Sequence, residues 1–299
     1  MDYHSKHRYR LVDVFTQERF QGNTLAVFPN ARDIGERQMQ LIARELNLPE
    51  TTFVLSTSRN DCVARVHFVT PAKEMVFAGH RTLGTAYILM AEKRVASLVT
   101  EFCLELPIGA VPVRIEREES SPMSPMLWLQ TPPVRWERAY EAALCADALG
   151  LSLQDVLDVP PHRLNAGNPT LLIAVRDPSV VDRAALSSEG MRRLRDGEAA
   201  PFCVFVFAPT PTGAYTRMFA PDYGIPEDPA KGSSIGPLAA YMIRHNLIAP
   251  NSTTWVSEQG TRMKRRSLLH VRLHGYRGAQ GIEVGGHVTT VGEGMIELP

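Results

Sequence analysis

Residues 221–244 read PDYGIPEDPAKGSSIGPLAAYMIR, and the rest of the 299-residue chain is organised around them. A Pro- and Gly-rich loop carries two adjacent carboxylates, Glu227 and Asp228. It runs through Lys231, Gly232, Ser233 and Ser234 into an apolar helix over 235–243. Gly and Ser at a helix start leave backbone N–H groups outside the helical ladder, and the helix dipole favours an anion there. A carboxylate beside such an anion hole suits proton transfer on a small acidic molecule. A capped, buried helix with a polar lead-in would give much the same letters.

The same arrangement occurs earlier. A strand-like run over 63–69 meets Pro71, passes Glu74 and Phe77, and enters Gly79-His80-Arg81-Thr82-Leu83-Gly84 and a helix over 85–92. A second such run over 214–219 meets Pro221, passes Glu227 and Asp228, and enters Gly232-Ser233-Ser234-Ile235-Gly236 and a helix. Two copies of strand, Pro turn, acidic loop, Gly and buried helix, about half a chain apart, indicate a duplicated domain. If the copies face each other, two helix N-termini point into one cleft, with His80 and Asp228 on opposite walls.

Length and composition bound the reading. A chain of 299 residues suffices for two ordinary domains, and 44% hydrophobic with 21% charged residues describes a soluble globular protein. Lys plus Arg equals Asp plus Glu, so the formal net charge is zero, which argues against nucleic acid or an anionic membrane as the main partner. The basic run RMKRR over 262–266 reads as a solvated loop. No run is apolar enough to span a bilayer, and the polar start MDYHSKHRYR is unlike a signal peptide. Cys62, Cys103, Cys145 and Cys203 are scattered through apolar runs, which implies reduced, buried thiols and a cytoplasmic protein. No CxxC, HExxH, P-loop or GxGxxG pattern occurs, so metal and nucleotide sites have no support in the sequence.

Periodicity gives the elements. Strands are expected at 9–15, 25–28, 51–55, 63–69, 101–106, 111–116, 126–130, 171–175, 202–208, 214–219, 254–257, 267–273, 281–284 and 288–291. An amphipathic helix over 36–46 places Met39, Ile42, Ala43 and Leu46 on one face. Further helices are expected over 138–149, 151–157 and 183–195. Glu50 falls where the first helix gives way to a strand, and taken alone it reads as a solvated loop glutamate. Many strands, few helices and one buried helix per half predict an α+β fold, with a strongly curved sheet wrapped round each central helix. The expected domains are 1–132, to which a C-terminal strand over 287–299 can return, and 133–286.

The motif FAGHRTLGTA over 77–86 closely resembles that of the phenazine biosynthesis PhzF-like family. RMFAP over 217–221, EDPAKGS over 227–233 and GNTLAVF over 22–28 are similar to the family's motifs, and so are Val284-Gly285-Gly286 and Val291-Gly292-Glu293-Gly294. The matches keep the family's order from about residue 9 to the end. This resemblance implies the diaminopimelate epimerase-like fold, two barrel-like domains flanking a cleft, a homodimer, no cofactor and no metal. It further implies a proton-moving isomerase, as in the family's dihydro-hydroxyanthranilate isomerisation. Glu50 would be the general acid/base, with His80 and Asp228 beside the substrate. Gly79, Gly232 and Ser233 would belong to the helix-tip anion sites, and Asn23 would be a further substrate contact.

Such roles make chemical sense. A glutamate moving a proton between two carbons must both take and give it. Helix-tip N–H groups can hold a substrate carboxylate and the negative charge that builds up on proton abstraction. No cysteine lies in either Gly-capped motif, which disfavours racemisation by two opposed thiols. The partner is therefore a small anionic metabolite. The alternatives are an amino-acid or hydroxy-acid epimerase, or a non-catalytic acid-binding protein on the same fold. The chain departs from the family pattern at Thr24, Arg81, Lys231, Arg262, Lys264 and Arg266. Arg81 and Lys231 adjoin the two helix tips, where they either add anion affinity or extend to solvent.

Overall fold

A computed structural model gives the conformation, and it describes residues 6–71, 74–75, 79–117, 125–198 and 200–298. Phe77 and Ala78 of the first motif lie outside the described residues, as does the side chain of Glu74. The chain divides into two compact units, Met1–Leu129 with Gly285–Pro299, and Gln130–Val284.

The first unit opens with β1 (Lys6–Val14), β2 (Asn23–Phe28) and α1 (Glu36–Leu46). Then come β3 (Thr51–Leu55), β4 (Ala64–Val69), the short β5 (Glu74–Met75) and α2 (Gly79–Ala91). After α2 follow β6 (Glu101–Leu106), β7 (Gly109–Glu116) and β8 (Met126–Gln130). The second unit holds β9 (Arg135–Ala139), α3 (Ala142–Ala148), β10 (His162–Asn165), β11 (Pro169–Ala174), α4 (Pro178–Arg183) and α5 (Ser188–Arg195). It continues with β12 (Cys203–Thr210), β13 (Gly213–Ala220), β14 (Ile225–Asp228), α6 (Ile235–Arg244), β15 (Thr254–Gln259), β16 (Ser267–His274) and β17 (Gly281–Gly286). The chain returns to the first unit as β18 (Val288–Glu297), which pairs antiparallel with β1.

Pairing shows the duplication directly. In the first unit β1 is antiparallel to β2, β2 parallel to β3, β3 antiparallel to β4, β4 parallel to β6, and β6 antiparallel to β7. In the second unit β10 to β11, β11 to β12, β12 to β13, β13 to β15 and β15 to β16 follow the same sequence of directions. Each long crossover between β4 and β6, or between β13 and β15, contains the buried helix, α2 or α6.

Those two helices have little polar face because they are cores in themselves. In α2 every residue from Gly79 to Ala86 is buried. In α6 the buried set runs from Ile235 to Ala239 and adds Tyr241 and Met242. Their glycines permit the close approach. A Cβ on Gly84 would lie 2.6 Å from Leu25 Cδ2 and 3.0 Å from Val14 Cγ2, and one on Gly236 would lie 2.8 Å from Thr131 Oγ1. The strand β12 (CVFVFAPT) is flanked by β11 and β13 and buried through its first six residues, as its unbroken β-branched and aromatic run requires. Burying each of its phenylalanines contributes roughly 1.5–3 kcal/mol.

The helix α1 spans the residues its periodicity marks, and Met39, Ile42 and Ala43 are buried. It ends at Asn47 in the left-handed conformation, whose N–H donates to Ala43 O. Three helical expectations are corrected. Arg138 belongs to β9, and the helix after it is only Ala142–Ala148, because β9 pairs antiparallel with β10. Residues 151–157 contain a single 3-10 turn, Leu153–Asp155, which Ser152 and Asp155 cap reciprocally. The run over 183–195 is broken. Asp177 caps α4, Ser187 caps α5, and the residues between them carry no helix.

Candidate active site

In the first unit the chemistry collects at the start of α2. Beyond the left-handed Asn47, Leu48 and Pro49 turn the chain so that Glu50 immediately precedes β3, and Glu50 O accepts from Ala26 N at 3.4 Å. Its side chain is 1% exposed, so the solvated-loop reading of this glutamate is wrong. The carboxylate meets His80 Nε2 through one oxygen and Arg81 Nη2 through the other. Both partners are also 1% exposed and occupy the second and third positions of α2. The Arg81 guanidinium lies 5.8 Å from the centre of the Phe68 ring, and its backbone carbonyl accepts from Thr85 Oγ1 at 2.7 Å.

Consecutive residues in the first turn of a helix fan round its axis, and two polar side chains there can converge on one acceptor only if the helix end is buried beside it. Gly79, the first residue of α2, and Asn23, the first of β2, are both buried in this unit. Thr51 and Thr52, next to Glu50, carry buried hydroxyls with no hydrogen-bond partner among the described residues. Sequence reasoning passed over them, although two polar residues in succession at the start of a buried strand are a usable signal.

The second unit has its own cluster. Glu227 and Asp228 sit in β14 rather than in a loop, and strand alternation sends neighbours to opposite faces. Glu227 takes a two-pronged ion pair from Arg217, Nε and Nη2 each at 2.8 Å, while Arg217 Nη1 donates to the carbonyls of Val181, Asp182 and Ala184. Glu227 is thus a structural partner. Asp228, 1% exposed, turns the other way and its Oδ1 accepts from Ala230 N at 3.0 Å. Lys231 Nζ stands 3.9 Å from Asp228 Oδ2 and 5.9 Å from the centre of the Tyr223 ring. Gln259 fixes the loop, its Nε2 donating to Asp228 O at 2.7 Å and its Oε1 accepting from Lys231 N at 3.3 Å. No motif or periodicity signals this role for Gln259.

Gly232 and Ser233 form, with Ser234, a buried 3-10 turn leading into α6. Ser233 Oγ is buried and has no hydrogen-bond partner among the described residues, whereas Ser234 Oγ meets Thr170 Oγ1 at 3.1 Å. Arg81 and Lys231 are both buried, so the solvent-directed alternative fails for each. Arg262, Lys264 and Arg266 are exposed, and Arg266 pairs with Glu258 at 2.9 Å. Cys62 Sγ and Cys103 Sγ lie 2.8 Å apart, and Cys145 and Cys203 are buried. Burial first, then the neighbouring Cys62, pushes the Cys103 thiol up to about 12, and burial pushes Cys203 up to about 11.

The fold has solved counterparts. A probable proline racemase from Agrobacterium radiobacter matches with a TM-score of 0.67 over 98% of this chain and 93% of its own, at 12% identity. A PhzF-family phenazine biosynthesis protein from Bacillus anthracis matches with a TM-score of 0.88 over 98% of this chain and 100% of its own, at 22% identity. A duplicated curved sheet, each copy wound on a buried helix with ionisable groups at its tip, thus defines an epimerase-type fold. The family model for phenazine biosynthesis-like proteins matches residues 12–294, and the chain belongs to that family. A trans-2,3-dihydro-3-hydroxyanthranilate isomerase from Pseudomonas aeruginosa is 35% identical over 293 residues, covering 98% of this chain and 100% of that one. Its namesake from Pseudomonas chlororaphis is 34% identical over 298 residues with the same coverage. The protein is an isomerase. Among the described residues no helix is long and apolar enough to cross a membrane.

Proposed function

We propose that this isomerase moves a proton between two carbons of a small carboxylate-bearing metabolite, with Glu50 as the general acid/base. The observation that carries the reading is the buried Glu50 carboxylate, held at the tip of α2 by His80 and Arg81. A carboxylate removed from water and oriented on both oxygens is a preorganised proton acceptor. His80 and Asp228 act as hydrogen-bonding groups for a substrate amine or hydroxyl. Gly79, Gly232 and Ser233 hold its carboxylate through helix-tip N–H groups and the Ser233 hydroxyl. Asn23 is a further contact. The similarity to the dihydro-hydroxyanthranilate isomerases supports a substrate of that kind, a cyclic acid bearing amino and hydroxyl groups. A homodimer that works without an added cofactor is part of the same proposal.

The test is isotope transfer. Trans-2,3-dihydro-3-hydroxyanthranilate and related amino acids, incubated with the enzyme in deuterated water, are expected to yield isomer carrying deuterium at the protonated carbon. Glu50→Gln is expected to lower the rate by about 10²–10⁴-fold. Unchanged turnover in a folded Glu50→Gln protein would refute the assignment. Label at a single carbon whose configuration inverts, without any double-bond shift, would replace isomerisation by epimerisation.

A further inference from the structure

Glu50 could be oriented by an imidazole alone, yet it also faces a permanent cation. An arginine side chain does not lose its proton in a protein, and a buried guanidinium without a counter-charge is strongly disfavoured. Arg81 is 1% exposed, its guanidinium reaches the Phe68 ring, and the Glu50 carboxylate lies against it. We propose that Arg81 is a positioning residue that keeps Glu50 an open carboxylate in the resting enzyme, so that each turnover begins with Glu50 as base. This rests on the reading of Glu50 as the proton carrier and adds a starting state and a direction to it. Glu50 takes the proton from a substrate carbon, leaving the electron pair in the substrate's conjugated system. A carboxyl group held against a guanidinium then gives up its proton, exchangeable with solvent between the two transfers, to the second carbon readily, and Glu50 is again a carboxylate. Protons and electrons balance with no other reactant.

Neighbouring elements add other titratable groups, among them Arg10 and the buried Asp13 of β1, which packs on α2. His80 and Arg81 both come from α2. The strand β2 (NTLAVF) carries no titratable side chain, and Arg65 and His67 of β4 sit opposite Leu55 and Phe53, further along β3 from Glu50. Through Val69, β5 places the backbone of Glu74 at the register of Thr51.

Infrared difference titration of the whole protein tests the proposal without any substrate, and the double variant Glu50→Gln/Arg81→Gln supplies the blank. In the wild-type protein the protonated-carboxyl band of Glu50 is expected only below the ordinary glutamate value of about 4.3. In Arg81→Gln it should appear about one to three pH units higher, and Arg81→Lys should restore most of the difference. A purely packing role for Arg81 would leave the band where it was. A wild-type band at or above about 4.3, or coincident titrations of wild type and Arg81→Gln, overturns the proposal. Should Arg81→Gln fail to fold, the wild-type titration decides alone. If the bands behave as expected while folded Glu50 variants still move deuterium, the assigned role of Glu50 falls and the charge pairing stands.

Discussion

Replacing Glu50 by glutamine keeps the shape of the side chain and deletes its charge. What remains is an arginine 1% exposed, with a neutral amide where its carboxylate had been. Removing one member of a buried ion pair costs about 3–5 kcal/mol, most of it the burden of the abandoned charge. Each kcal/mol moves the melting midpoint of a domain of 150–250 residues by roughly 2–4 °C, so a loss on the order of 10 °C is expected. The companion variant decides the cause. Glu50→Leu/Arg81→Met replaces both charges by apolar groups and should recover most of the loss, since such replacements of buried pairs are often neutral or stabilising. Thermal and urea unfolding of wild type, Glu50→Leu, Arg81→Met and the double variant complete a cycle whose interaction energy should exceed about 2 kcal/mol. A Glu50→Gln protein melting with the wild type, in an additive cycle, would refute the reasoning. The practical corollary is that Glu50→Gln must be assayed well below its own midpoint.

The adjacent carboxylates of β14 should separate cleanly. Glu227→Gln is expected to lower stability by about 2–4 kcal/mol in urea unfolding and leave turnover nearly unchanged, because Arg217 loses its ion pair; Asp228→Asn should lower turnover, and stability as well through the buried Lys231. Gly84→Ala pushes a methyl against Leu25 and Val14 and should cost about 1–3 kcal/mol, read as a lower urea midpoint. His162 and His245 pack edge-on to Trp136, and burial first, then the Arg244 charge, holds both imidazoles below their ordinary value. Their contribution is complete above about pH 6.5 and is lost as pH falls through the lower folded values. The urea midpoint should therefore drop on going from pH 7.5 to pH 5 by more than in His245→Gln.

Much of this was legible in the letters. Periodicity marks α1 over 36–46, because one face meets the core and the other does not, while β3 over 51–55, buried on both faces, is marked by its β-branched and aromatic residues. The duplicated Gly-led helices are visible because a helix buried on nearly all sides has to be apolar and small where strands press on it. What failed has a common cause. The Ala-rich run after residue 138 has helical propensity, but Arg135–Ala139 is claimed by pairing with β10, and pairing with a distant segment leaves no local trace. The same holds for the site. Motifs point to Glu50 and Asp228, yet nothing in the sequence says that Arg81 turns onto Glu50 or that Gln259 clasps the loop at Asp228. Nor does EDP reveal that its first carboxylate serves Arg217, since that depends on which face of β14 it occupies.

The pairing of β1 with β18 ties Lys6 to Glu297 and Val14 to Val288. A nascent chain emerging from the ribosome therefore carries β1 with one flank uncovered while more than 270 further residues are added. The unit spanning Gln130–Val284 has all of its strands before that flank is covered, so it is the first able to reach its native state. Closure of the unit that bears Glu50 waits on the pairing of residues at opposite ends of the described chain, and long loop closure is slow. The tip of α2 is thus assembled last, and a chain shortened by its final ten or so residues would be synthesised without ever finishing the unit that holds Glu50.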